Sequence, residues 1–204
     1  MKPEIVCEDA VLKKMIEDHY EGNKAAQTFF RMCPKTQWPL IVDHAAIRCR
    51  EIERRAEPFI ARGFICRDEV IEFPQQGWWA KVYRKARCPA LFIDQAYLRE
   101  NDHLLRLWAE RFGEDRLHHI AVRVLDIERA IATLKEEGVA FSGDIVGGPK
   151  TRLRQIFTMA EERDNTAFTV LELIERNGYD GFYPEQADGL MHASLRTSPQ
   201  SPST

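Results

Sequence analysis

Residues 42–50 read VDHAAIRCR and residues 117–125 read LHHIAVRVL. Both contain His-apolar-Ala-apolar-Arg, as His44-Ala45-Ala46-Ile47-Arg48 and as His119-Ile120-Ala121-Val122-Arg123. Each copy is followed by a charged helical stretch with a turn glycine, EIERRAEPFIARGF (interrupted by Pro58) and DIERAIATLKEEGVAF. In the second, Ile127, Ala130, Ile131 and Leu134 recur at helical spacing and Gly138 suits a C-terminal cap. Strand-like pieces then follow in each half: EVIEFP, WWAKVYRK and PALFID in the first, and FSGDIVGGP, TRLRQIFTMA and FTVLELIER in the second. Turn residues separate them, so each half reads β-α-β-β-β.

Working outward, the chain divides into an N-terminal helical extension (1–39), a first module (40–98), a connecting helix (99–115), a second module (116–182) and a tail (183–204). The Ser/Pro-rich end of the tail predicts partial disorder. The expected fold class is α+β. A single four-stranded curved sheet cannot bury both its faces, whereas two placed side by side make a half-open barrel with helices outside and a cavity within. Chemistry is expected in that cavity.

Composition excludes several function classes. A net charge of −3 with scattered Arg and Lys argues against nucleic acid and against a membrane surface. No run approaches the ~18 apolar residues of a transmembrane helix. The acidic N-terminus lacks the apolar core of a secretory signal. Five cysteines without a CxxC pair fit reduced thiols, and so a cytoplasmic protein.

Side chains alternate across a strand. Ile120, Val122 and Val124 suit packing beneath a helix, which turns His119, Ala121 and Arg123 to the other face; His44, Ala46 and Arg48 share a face by the same logic. A lone strand histidine is usually a satisfied core residue. Two at one place in a repeat can converge on a point when near-symmetric modules pair. The last strand adds Glu172 inside the apolar run FTVLELI. A buried carboxylate needs either an internal Arg partner or a metal ion. Two His and one carboxylate with open positions opposite is the donor set of non-heme Fe(II) oxygenases.

These residues resemble the vicinal oxygen chelate superfamily over about residues 40–180, and the resemblance implies paired βαβββ modules around a divalent metal. LRQIFT at 153–158, followed by VLELIER at 170–176, is similar to the last strands of 4-hydroxyphenylpyruvate dioxygenases. It implies that Glu172 is a metal ligand and that Gln155 and Phe157 line the substrate pocket. DHAAIR at 43–48 is similar to the first-ligand motif of 2-oxoadipate dioxygenase/decarboxylases. It implies that His44 binds iron and Arg48 holds a substrate carboxylate; a salt bridge inside the barrel is the other reading of Arg48. The position before the second ligand, commonly Gln in the hydroxyphenylpyruvate enzymes, is His118 here. Both His118 and His119 are therefore ligand candidates, and the repeat register favours His119.

The resemblance implies an Fe(II) dioxygenase that chelates a 2-oxo acid and couples its decarboxylation, with CO2 release, to hydroxylation of the same molecule by O2. No protein nucleophile is expected. Mn, Co or Zn are also compatible with the donors, and a homodimer is compatible with the superfamily. The other enzyme class is a lyase or isomerase of the glyoxalase or epimerase type, working through an enediolate. Those usually present a fourth ligand from the last strand of the first module. Matching LFI at 91–93 to LEL at 171–173 sets Phe92 opposite Glu172, which favours three ligands. Extradiol ring cleavage lacks its usual Tyr and Pro-Gly pattern before the Glu, and a bleomycin-resistance-like binding module would lack the ligands. Arg123 is a weaker substrate candidate, Trp79 a candidate to face inward from the Trp pair, and GYDGFY at 178–183 either a lid or a surface turn.

Overall fold

The computed structural model describes residues 5–67, 70–97 and 103–194. In chain order these form α1 (Ala10–Gly22), α2 (Lys24–Thr36), β1 (Val42–Cys49), α3 (Ile52–Ile60), β2 (Val70–Phe73), β3 (Trp78–Tyr83) and β4 (Ala90–Ala96). Then come α4 (Leu104–Phe112), β5 (His119–Val124), α5 (Ile127–Glu136), β6 (Phe141–Val146), β7 (Leu153–Thr158), β8 (Glu161–Arg163), β9 (Thr166–Arg176) and α6 (Pro184–Ala193). Both expected βαβββ modules are present, and the strand order β2-β3-β4-β1-β5-β9-β7-β6 makes the second the mirror of the first.

The modules meet where β1 and β5 run antiparallel, with His44 opposite Ala121 and Ala46 opposite His119. Each first strand also pairs in parallel with the last strand of its own module. Ala46 neighbours Phe92, and Ala121 neighbours Glu172. Phe92 and Glu172 therefore occupy equivalent places about the approximate two-fold axis between the halves.

Alternation then sorts the side chains. Ala45, Ile47, Leu91, Ile93, Ile120, Val122, Leu171 and Leu173 are fully buried in one cluster with residues of α1, α2, α3 and α5. Burying an aliphatic side chain of this size is worth ~1.5–3 kcal/mol, so this convex face fixes the strand register that turns the alternate residues into the cavity. Asp9 caps α1 by accepting from Leu12 N at 2.9 Å, and Asn23 caps α2 by accepting from Ala26 N at 2.8 Å.

Three expectations change. Pro58 does not interrupt its helix: it lies in the last turn of α3, which runs on to Ile60 with one i→i−4 hydrogen bond fewer. The connecting helix is shorter than 99–115, starting at Leu104 with His103 as its cap; residues 98–102 lie outside the described residues. The tail, expected to be partly disordered, carries a helix that was not expected. Residues 184–193 form α6, with Pro184 at a helix start where its fixed φ is favourable, while the Ser/Pro-rich residues 195–204 lie outside the described residues. Among the described residues no helix is long and apolar enough to cross a membrane.

Candidate metal centre

Concave-face residues converge on a cavity lined by His44, Arg48, Phe92, Asp94, His118, His119, Gln155, Phe157 and Glu172, with α6 closing one side. Glu172 Oε2 lies 3.2 Å from His44 Nε2 and 3.4 Å from His119 Nε2. One donor atom from each of the three lies within 4.8 Å of the others.

The donors fit a divalent cation on two counts. Glu172 is 1% exposed and its Oε1 has no hydrogen-bond partner. A buried, unsatisfied carboxylate oxygen costs several kcal/mol unless a cation meets it. The second count is the orientation of the rings. His44 Nδ1 lies 3.0 Å from Asp43 Oδ1, so it donates there and its Nε2 lone pair is free to face inward. Without a cation, a proton on His44 is the remaining counter-charge. Burial alone would lower this imidazole, but Glu172 and Asp43 raise it to about 9.

Asp43 reaches its neighbour's ring because of a register shift between Val42 and His44 where β1 pairs with β5. Its carboxylate also accepts from Arg123 Nε (2.6 Å), Arg176 Nε (2.7 Å) and Arg176 Nη2 (2.8 Å). Burial acts to raise Asp43, but the hydrogen bonds from His44 and Arg176 hold it far below the ordinary carboxylate range. Arg123 is thus a rim residue tied to Asp43 and is absent from the cavity lining, contrary to the expectation of a substrate contact.

The second histidine is oriented differently. His118 Nδ1 lies 3.0 Å from His119 Nδ1, and the His118 ring rests edge-on against Trp108 of α4 at 5.6 Å. His119, not His118, is the one in the three-residue donor group. Burial, then neighbouring positive charge, keeps both imidazoles well below their ordinary value. They are neutral, with His119 Nδ1–H donating to His118 when His119 Nε2 offers its lone pair.

Phe92 fills the place equivalent to Glu172 and packs on His44 at 4.9 Å and on Phe182 at 4.5 Å. Phe157 packs on His119 at 5.0 Å, and Gln155 Nε2 donates to Gln186 Oε1 of α6 at 2.9 Å. The Trp pair is reversed from expectation. Trp78 lines the cavity with Ala80, while Trp79 turns outward beneath Lys81 at 5.5 Å, because Trp78 rather than Trp79 shares the phase of Ala80 on β3. In the 178–183 segment Phe182 and Tyr183 line the cavity, and Arg176 holds the turn by donating to Tyr179 O and Gly181 O.

Arg48 is 2% exposed, and no carboxylate lies within salt-bridge distance of it among the described residues. Its Nη2 donates to Ser194 Oγ at 2.9 Å, its Nε has no partner, and the guanidinium stands over Trp108 at 5.8 Å. Burial lowers it to about 9, with Asp94 opposing. Reading the sequence alone missed Asp43 and the α6 residues and set Asp94 aside as out of register for a ligand, although it shares the inward phase of Phe92.

No family model and no curated protein matches the sequence. Solved structures do share its architecture. Hydroxyglutarate synthase from Oryza sativa in complex with 2-oxoadipate superposes with a TM-score of 0.71 at 16% identity, covering 96% of this chain and 97% of that one. The chain has the vicinal oxygen chelate fold. A candidate hydrolase from Shewanella frigidimarina NCIMB 400 gives a TM-score of 0.73 at 18% identity, covering 90% of this chain and 99% of that one. A mutant 4-hydroxymandelate synthase from Streptomyces coelicolor gives 0.60 at 20% identity, covering 76% of this chain and 53% of that one. Identities this low speak for the vicinal oxygen chelate fold and its paired modules.

Proposed function

We propose that this chain is an Fe(II)-dependent dioxygenase that oxidatively decarboxylates a 2-oxo acid and hydroxylates the same molecule. The observation that carries the reading is the asymmetry of the donor set. His44, His119 and Glu172 converge, while the place equivalent to Glu172 holds Phe92. Protein donors therefore stand on one side and the opposite side is open to small molecules, as in other three-ligand iron sites. His44, His119 and Glu172 would hold a divalent iron there, and it would supply Lewis acidity and the chemistry of O2.

The chain's own residues do the rest. Asp43 and His118 set the tautomers of the two histidines. Arg48, a buried cation with no carboxylate partner among the described residues, pairs with the substrate's anionic end, a two-point contact suited to a planar guanidinium. Gln155, held by Gln186, orients the substrate, and Phe157, Phe92 and Phe182 exclude water around it. The rice hydroxyglutarate synthase, described with 2-oxoadipate, supports an oxo-diacid as the first compound to try.

The test is anaerobic loading with Fe(II), followed by O2 uptake and CO2 release across a panel of 2-oxo acids, with Mn(II), Co(II) and Zn(II) in parallel. One CO2 per O2 with at least one 2-oxo acid, in the iron-loaded protein alone, is expected. Stoichiometric metal with no O2 uptake, but with solvent proton exchange beside a carbonyl, replaces this reading with the isomerase one.

A further inference from the structure

Arg48 and Asp94 are neighbours on the parallel strands β1 and β4, and both side chains face the cavity. Opposite charges so placed usually close into an ion pair, yet here they do not come within salt-bridge distance. Asp94 is 6% exposed, and its carboxyl has no hydrogen-bond partner among the described residues. Arg48 keeps an unpartnered Nε. Two buried ionisable groups thus leave bonding capacity turned to one end of the cavity. Asp94 is also outside the three-residue donor group, one alternation beyond Phe92. This end meets the far end of a bound molecule rather than its chelating atoms.

We infer that Asp94 and Arg48 form a proton-coupled carboxylate site, in which the distal carboxylate of a substrate accepts hydrogen bonds from the Arg48 guanidinium and from a protonated Asp94. The inference rests on the reading of this cavity as the substrate site. A buried guanidinium calls for an anion. Two carboxylates beside one guanidinium cannot both stay ionised in a buried site, so one carries a proton. The proton comes from solvent and resides on Asp94 Oδ while the ligand is bound. Burial already pushes Asp94 up to about 7, against the pull of Arg48 and His44, and the ligand's charge pushes further the same way. The titratable groups acting on Asp94 are Arg48 and His44, with Cys49 also of β1 coupled to it. β3 places Ala80 opposite it, and α4 and α6 bring Trp108, Met191 and Ser194 to the Arg48 side.

The experiment is isothermal titration calorimetry of the full chain with adipate, a diacid that needs no turnover, from pH 7 to 9 in phosphate and in Tris. The wild type is expected to take up close to one proton per adipate at pH 9, and to lose about fiftyfold in affinity between pH 7 and pH 9. Asp94→Asn, which still donates to a carboxylate, is expected to bind adipate with an affinity flat to about twofold and with no proton uptake. Asp94→Ser serves the same purpose should the Asn variant not fold. Failure of the wild type to bind adipate, or a pH slope unchanged in the variants, overturns the inference. Proton-linked adipate binding without O2 consumption keeps this site and removes the dioxygenase reading; O2 consumption with a flat adipate affinity does the reverse.

Discussion

Replacing Asp43 by Asn tests whether the orientation of His44 or only the local packing depends on that carboxylate. Asp43 Oδ1 accepts from His44 Nδ1 and Arg176 Nη2, and Oδ2 accepts from Arg123 Nε and Arg176 Nε. An amide has one acceptor oxygen, so it serves one of these pairs and turns an NH2 towards the other. Keeping the two Nε donors satisfied places the NH2 against His44 Nδ1. That nitrogen then becomes an acceptor, and the imidazole proton moves to Nε2, where it points at Glu172 and blocks the lone pair a cation needs.

Two magnitudes follow. Loss of the carboxylate that orients a ligating imidazole lowers metal affinity by about 10- to 100-fold. The Arg176 side chain is 5% exposed, so breaking that pair costs ~3 kcal/mol, whereas Arg123 at 38% exposure contributes well under ~1 kcal/mol. Chelator competition with Co(II) reads the first, and calorimetric unfolding of the metal-free protein reads the second, as a fall of roughly 6–12 °C. Arg123→Ala is the control, expected to leave both nearly unchanged. Co(II) affinity within twofold of wild type in a destabilised Asp43→Asn protein would falsify the orienting role and leave Asp43 as packing alone.

Phe92→Glu supplies a fourth donor, a second carboxylate, at the place equivalent to Glu172, so metal should bind at least as tightly while O2 uptake drops about a hundredfold; unchanged uptake would mean that the open side lies elsewhere. His119→Ala should abolish tight metal binding, whereas His118→Ala should weaken it only about 10- to 100-fold; the opposite order in a chelator titration shifts the ligand by one residue. Asp94→Asn should also reveal a cost to stability. The Asp94 carboxyl goes from 3.8 to about 7 on folding, so the wild type is fully stabilised below 3.8 and loses about 4 kcal/mol as pH rises to about 7. The variant's advantage in unfolding temperature should therefore widen from pH 4 to pH 7 and level off above it, and a gap that does not change with pH rejects the shift.

The fold was legible because the repeat and the strand alternation report the same geometry. Matching His-x-Ala-x-Arg in both copies implies equivalent strands, and Ile120, Val122 and Val124 imply which face is covered by helix; the β1–β5 pairing follows from these. Glu172 was legible for the opposite reason, as an acid that breaks an apolar run. What escaped depends on events outside the repeat. Asp43 should point away from His44 by simple alternation, and only the register shift at Val42/His44 brings it to the ring. Trp78 and Trp79 differ by one position in phase, and with both aromatic there is no polarity contrast to set it. Residues 184–193 carry a Pro, an Asp and a Gly, a composition that reads as tail, and they become helical where their apolar side packs over the cavity.

The asymmetry between the modules was the harder feature to read and bears most on function. Val82 pairs with Phe92 across β3 and β4, and Phe157 pairs with Glu172 across β7 and β9. The second connection is longer by five residues, 15 positions against 10, and that excess carries β8 and its turn. A strict repeat spaced as the two histidines are would align Glu172 with Tyr97 and Phe92 with Ala167, hiding the comparison that sets three donors against four. With β8 allowed for, Phe92 is the exact counterpart of Glu172. The two halves then supply different things from equivalent places: the second gives the carboxylate that completes the donor set, and the first gives an apolar wall. One alternation further along that wall, Asp94 faces the cavity where the second module has the apolar Ile174. A pseudo-symmetric scaffold thus yields a site with a chelating end and a separate charged end, which is what a substrate with two different polar termini requires.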